Sequence, residues 1–158
     1  FYSTGIRNSE MRTMTIYSVD TSSGYVRVMG KGHKERIIPV GAVACKYIKL
    51  YLEKARPQLC KGDTDTLFLS KSGRMLTEDF PADIARKYCK RAGIKKDINA
   101  HALRHTFATH MLKYGANIRV IQTMLGHESL ETTQIYTHLT REVRDSLIDP
   151  LNQLMQDL

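Results

Sequence analysis

The sequence predicts a mainly α-helical domain carrying a small antiparallel β-sheet, an α+β arrangement in a single unit over residues 1–158. Three observations predict it. Short β-prone runs separated by turn residues crowd the first forty positions, apolar residues then recur at helical spacing, and glycines at 93, 115 and 126 punctuate the helical stretches. A chain of 158 residues with 42% apolar content is long enough to bury one substantial core.

Element by element, Phe1-Tyr2-Ser3-Thr4-Gly5 reads as the end of a helix closed by a glycine, so the chain is expected to be the C-terminal part of a longer protein. Residues 9–15 form a short helix, followed by strands over 15–19, 24–29 and 35–40. Asp20-Thr21-Ser22-Ser23-Gly24 and Gly30-Lys31-Gly32-His33 supply the turns between them. Val43, Tyr47, Leu50 and Tyr51 mark an amphipathic helix over 41–55 that ends before Pro57. Residues 61–65 are a polar loop and 66–69 a short extended piece. Thr77 is positioned to cap a helix running to Arg91, although Pro81 fits poorly beyond its first turn. Helices follow over about 100–114, 117–125, 129–136 and 141–148. Asp149-Pro150 then looks like a cap and first residue of a separate short helix, a tail over 149–158 with Leu151, Leu154, Met155 and Leu158 on one face. About nine residues do not hold a helix alone, so this stripe is expected to dock, either on its own domain or on a neighbour.

With 24 basic against 16 acidic residues the chain carries +8, which favours a polyanionic partner. No apolar run approaches the roughly 18 residues of a membrane span. Cys45, Cys60 and Cys89 are odd in number and widely spaced, which reads as reduced thiols in a cytoplasmic protein. His101 and His105, at i,i+4, have no obvious third zinc ligand, so no metal and no cofactor are expected.

The last third of the chain holds the richest chemistry: His101-Ala-Leu-Arg104-His105, then Leu125-Gly126-His127, then Tyr136 within Thr132-Thr133-Gln134-Ile135-Tyr136-Thr137-His138. Upstream, Thr4-Gly5-Ile6-Arg7-Asn8-Ser9-Glu10 adds a second arginine and the Gly30–Arg36 segment a lysine in a turn. Two arginines can neutralise a phosphate, His and Lys can move protons, and a tyrosine can attack phosphorus. In order and context these motifs resemble the tyrosine recombinase (phage integrase) family, in its Xer-like and integrase-like branch, from about Ser3 to Thr140.

The resemblance implies a role for each residue. Arg7 and Arg104 would clamp the scissile phosphate, with Glu10 one turn on from Arg7 holding it by an i,i+3 contact. Lys31, favoured over Lys34 by its Gly-Lys-Gly context, would protonate the departing 5′ oxygen. His101 would assist proton transfer, His127 would bond a non-bridging oxygen, and Tyr136, nine residues on, would be the nucleophile. The plainer reading makes Lys31, Lys34 and Arg36 edge-strand charges that discourage sheet pairing, and His105, Phe107 and His110 packing residues of their helix. Arg86, Lys87, Lys90 and Arg91, with Lys95 and Lys96 after them, would contact DNA phosphates.

The implied activity is strand cutting and rejoining through a 3′-phosphotyrosyl bond. The partners would be double-stranded DNA and, in the full-length protein, three further copies in a tetramer that exchanges C-terminal segments. An N-terminal DNA-binding domain would complete a cytoplasmic, nucleoid-associated protein of bacterial or phage origin. Two rivals stand beside this: type IB topoisomerase-like DNA relaxation, with the same chemistry and no partner exchange, and a non-catalytic DNA-binding module on the same scaffold.

Overall fold

The β-prone runs assemble into a three-stranded antiparallel sheet in the order β1 (Val19–Asp20), β2 (Tyr25–Met29), β3 (Glu35–Pro39). The structure is a computed structural model, and it describes residues 1–30, 34–96, 98–126 and 141–156. Val26 pairs with Ile38 and Val28 with Arg36. Period-two alternation turns Val26, Val28 and Ile38 inward, onto the core. Around the sheet lie α1 (Asn8–Thr13), α2 (Ala42–Leu50), α3 (Arg56–Leu59), α4 (Phe80–Arg91), α5 (Ala100–Lys113), α6 (Ile118–Leu125) and α7 (Arg141–Gln156). The mainly helical fold with a small sheet is as expected.

Three local expectations fail. The first strand is only Val19–Asp20, because Ile16–Ser18 curls into a 3₁₀ turn. Ser18 Oγ accepts from Thr15 N at 3.0 Å, and Ile16 N donates to Asp65 O at 2.8 Å, so Thr15 bridges Thr66 rather than β2. The helix expected to stop before Pro57 continues to Leu59 through a π-helical stretch, Tyr51–Ala55. A wider turn needs no N–H from proline in the ordinary i→i−4 ladder, so Pro57 sits at the start of α3 instead of ending α2. Asp79, not Thr77, precedes the first residue of α4, which places Pro81 in the first turn, where its missing N–H is no loss.

The largest correction is the tail. Asp149 and Pro150 lie inside one continuous helix, α7, rather than opening a second one. Proline within a helix costs ~3 kcal/mol. Here Leu147, Leu151 and Leu154 fall on one stripe and are all buried in the core. Each contributes roughly 1.5–3 kcal/mol, enough together to carry the helix through Pro150. The stripe docks in cis on α2, α5 and β3. Asn152 Oδ1 accepts from Ala42 N at 3.2 Å, capping α2, and the Leu151 carbonyl would stand 3.0 Å from any Cβ at Gly41. The Met155 side chain and Leu158, like the helix expected over 129–136, lie outside the described residues. Leu154→Ala is therefore expected to cost ~2–5 kcal/mol, and removal of 149–158 to unfold the domain. Urea titration checks both.

α5 and α6 position the chemistry. Asn99 and Asn117 cap them, accepting from Ala102 N and Arg119 N, each at 2.9 Å. One face of α5 buries Arg104, Phe107 and Met111. A charged residue thus shares the stripe that packs the helix. The three cysteines are free. Among the described residues no helix is long and apolar enough to cross a membrane.

Candidate phosphate-binding site

Three arginines converge on the carboxyl end of α6, and each bonds a different, successive carbonyl. Arg36 Nε donates to Met124 O at 2.9 Å, Arg104 Nη2 to Leu125 O, and Arg7 Nη2 to Gly126 O at 2.9 Å. Two of these carbonyls belong to the last helical residues and the third to the cap, the end of a helix that lacks internal donors and carries the negative end of the dipole. The local sequence makes the arrangement possible. Gly126 closes α6 in the left-handed region at φ +66°, and a Cβ there would lie 3.0 Å from Arg36 Cζ and 3.1 Å from Arg7 Nη1. Gly126→Ala should lose roughly 1–3 kcal/mol through backbone strain and also displace both guanidiniums. Gly126→Asn, which tolerates that φ, should recover part of the stability but not the crowding. Thermal melts of the two variants separate the terms.

Arg7 stands at the entrance to α1, immediately after the Gly5 turn. Its backbone N–H donates to Glu10 Oε2 at 2.7 Å and its Nη1 to Glu10 Oε1 at 3.0 Å, the expected i,i+3 contact. Gly5 is itself held at φ +61°, where a Cβ would strike the Phe107 ring at 2.5 Å. Its carbonyl accepts the second bond of Arg104, from Nη1. Arg104 is 8% exposed and is held by neutral carbonyls, with no carboxylate paired to it among the described residues. Burial, with Arg7 and Arg36 nearby, lowers its pKa to about 10, while Glu10 works the other way. It is therefore charged at neutral pH.

Arg36 is the residue that sequence reading missed. It is not an edge charge: its Nη1 and Nη2 form a fork on Glu10 at 2.7 and 2.8 Å. The signal was present in the alternation of β3. Arg36 shares its phase with buried Ile38, whereas Glu35 and Ile37 face out. Glu10 is only 4% exposed. Burial opposes its ionisation, but the bonds from Arg36 and Arg7 prevail and hold its carboxyl below the usual range. With one carboxylate among three guanidiniums, the cluster keeps an excess of positive charge.

That charge borders a cleft of about 280 Å³ lined by Ile6, Arg7, Asn8, Ala100, His101 and Arg104. The amino-terminal turn of α5 contributes its positive dipole end to the same cleft. The structure thus brings Arg7, His101 and Arg104 together, with His101 exposed. Lys31, His127 and Tyr136 lie outside the described residues. Lys34 is exposed and its carbonyl accepts from Gly30 N at 2.8 Å. Phe107 is fully buried and His110 bonds Tyr2 Oη at 2.7 Å, both as packing residues, whereas His105 is exposed. Among the described residues no His, Cys, Asp and Glu cluster suits a metal ion.

Next to the cleft, α4 turns Arg86, Lys87, Lys90 and Arg91 to solvent, followed by exposed Lys95 and Lys96. Arg86 pairs with Asp83 at 3.0 Å, and the Arg91 guanidinium lies 5.7 Å from the centre of the Tyr88 ring. Asn8 Nδ2 donates to Glu78 O at 2.7 Å, which ties α1 to the segment leading into α4.

Known proteins share this scaffold. The tyrosine recombinase XerD of Corynebacterium glutamicum is 45% identical over 141 residues, covering 89% of this chain and 46% of the relative. The crystal structure of XerA recombinase superposes with a TM-score of 0.74 at 36% identity, over 91% of this chain and 52% of that one. XerH site-specific recombinase bound to its difH substrate, in a pre-cleavage complex, gives 0.70 at 30% identity over 89% and 41%. This chain thus spans about half the length of the relatives it matches. The description of the phage integrase family fits residues 1–142, the stretch that holds the arginine cluster and every candidate site residue, and the chain belongs to that family.

Proposed function

We propose that this chain is the catalytic domain of a site-specific DNA recombinase that cuts and rejoins strands through a 3′-phosphotyrosyl intermediate. The observation that carries the reading is the cationic cleft, with Arg7 and Arg104 fixed by main-chain carbonyls and charge left over for an anion. In the proposed reaction the Tyr136 phenol oxygen attacks phosphorus in line, the P–O5′ bond breaks, and the phenol proton leaves with help from His101. Lys31 donates a proton to the departing 5′ oxygen, and His127 bonds a non-bridging oxygen alongside the two arginines. The 5′ hydroxyl of the same or a partner strand then reverses the attack. Bond energy is kept in the phosphotyrosyl ester, so no nucleotide cofactor is called for. The guanidiniums supply the transition-state charge that a metal supplies elsewhere.

Arg86, Lys87, Lys90 and Arg91 would position the duplex through its phosphates. The same reading includes a partner domain closing over the opposite face of the DNA, with tetramer assembly on DNA in the cytoplasm. Incubation with a library of randomised nicked duplexes, followed by SDS electrophoresis, tests the reading. A covalent protein–DNA adduct that forms equally well in EDTA is expected. No adduct with any duplex, or one lost in chelator, would overturn it.

A further inference from the structure

Glu10 poses an electrostatic problem that Arg36 solves. A carboxylate 3.0 Å from Arg7 fixes the guanidinium, yet it also cancels the charge that Arg7 would present to a phosphate. Arg36 bonds both oxygens of the same carboxylate, at 2.7 and 2.8 Å, with its Nε bound to Met124 O. All three of its donor nitrogens are committed, and its side chain is 14% exposed against 39% for Arg7. Arg36 therefore offers a phosphate less of its guanidinium than Arg7 does.

We infer that Arg36 is a positioning residue: it neutralises Glu10 so that Glu10 can orient Arg7 without silencing it, and it joins the strand after the β2–β3 turn to the carboxyl end of α6. One side chain thereby links three segments: β3, the α1 entrance holding Arg7, and the carboxyl end of α6. The inference rests on the recombinase reading of the cleft.

The test is the rate of covalent adduct formation at saturating protein, with binding followed separately by gel shift. Arg36→Met leaves the carboxylate facing Arg7 alone and should slow adduct formation ~10- to 100-fold, with duplex affinity changed less than ~3-fold. Removing the offending charge as well, in Arg36→Met/Glu10→Gln, should restore part of that loss. A merely structural Arg36 predicts that the double variant is no better than the single one. If Arg36→Met does not fold, Arg36→Lys and Arg36→Gln carry the comparison: lysine keeps the charge and should cut ~10-fold or more faster than glutamine, which can bond Glu10 without neutralising it. Equal rates for Lys and Gln, or no rescue by Glu10→Gln, would overturn the inference. An unmodified protein that forms no adduct overturns the recombinase reading instead, so the two failures are distinguishable.

Discussion

Tyr136→Phe should bind duplex DNA with unchanged affinity and form no detectable covalent adduct. The substitution deletes one oxygen and keeps the ring, so the proposed bond to phosphorus has no atom from which to form. A phenol ordinarily titrates near 10, which leaves it almost wholly protonated at neutral pH. In the proposed reaction the cationic cleft would activate it: an excess positive field from Arg7, Arg36 and Arg104 would favour the phenolate and the extra negative charge that gathers on the phosphate during attack. Six of the other seven tyrosines, at 17, 25, 47, 51, 88 and 114, are expected as packing residues; Tyr17, Tyr47 and Tyr88 are instead exposed, whereas Tyr25, Tyr51 and Tyr114 are part-buried, and none follows a Leu-Gly-His motif. Tyr51, for instance, donates to Leu67 O at 3.1 Å. An adduct at undiminished yield in Tyr136→Phe, mapped by peptide sequencing, would move the nucleophile elsewhere.

How far the sequence carried the site depended on whether a residue announces itself by type or only by neighbourhood. Arg7, Glu10 and Arg104 lie in short motifs whose helical spacing is local, so their placement could be read in advance. Arg36 could not be read by type, because an arginine in a strand between Glu35 and Ile37 looks like a solvent-facing charge; its partners Glu10 and Met124 are distant in the chain. Only its shared phase with Ile38 pointed inward. The tail shows the opposite error. Asp149-Pro150 is a strong local signal for a new helix, yet tertiary burial of Leu147, Leu151 and Leu154 overrode it and drew the chain into one helix docked in cis. Pro57 and Pro81 were also judged by local rules, and both are accommodated by small shifts in where a helix turn begins. The mainly helical class with a three-stranded sheet survived these errors because it rests on sums of periodic positions rather than on any one boundary.

Arg104→Lys should reduce the rate of adduct formation ~10²–10³-fold, the usual consequence of removing a preorganised donor to a developing oxyanion, while changing DNA affinity by less than ~3-fold. The substitution keeps the charge, so any electrostatic contribution to docking survives. What it removes is the planar fork that bonds Gly5 O and Leu125 O together, and with it the link between the α1 entrance and the end of α6. Lysine reaches one of these carbonyls at a time. The other is left without its donor in a buried setting, at a cost of about 1–3 kcal/mol. Arg104→Ala should go further on both counts, since Gly5 O and Leu125 O both lose their partner and the cleft loses a cation. Parent, Lys and Ala are therefore expected to fall in that order in melting temperature and in cleavage, while gel-shift affinity should stay nearly level because the proposed phosphate contacts are spread over α4 and beyond. Affinity that falls in step with rate would mean Arg104 acts in ground-state binding, and wild-type cleavage by Arg104→Lys would remove it from the phosphate clamp altogether.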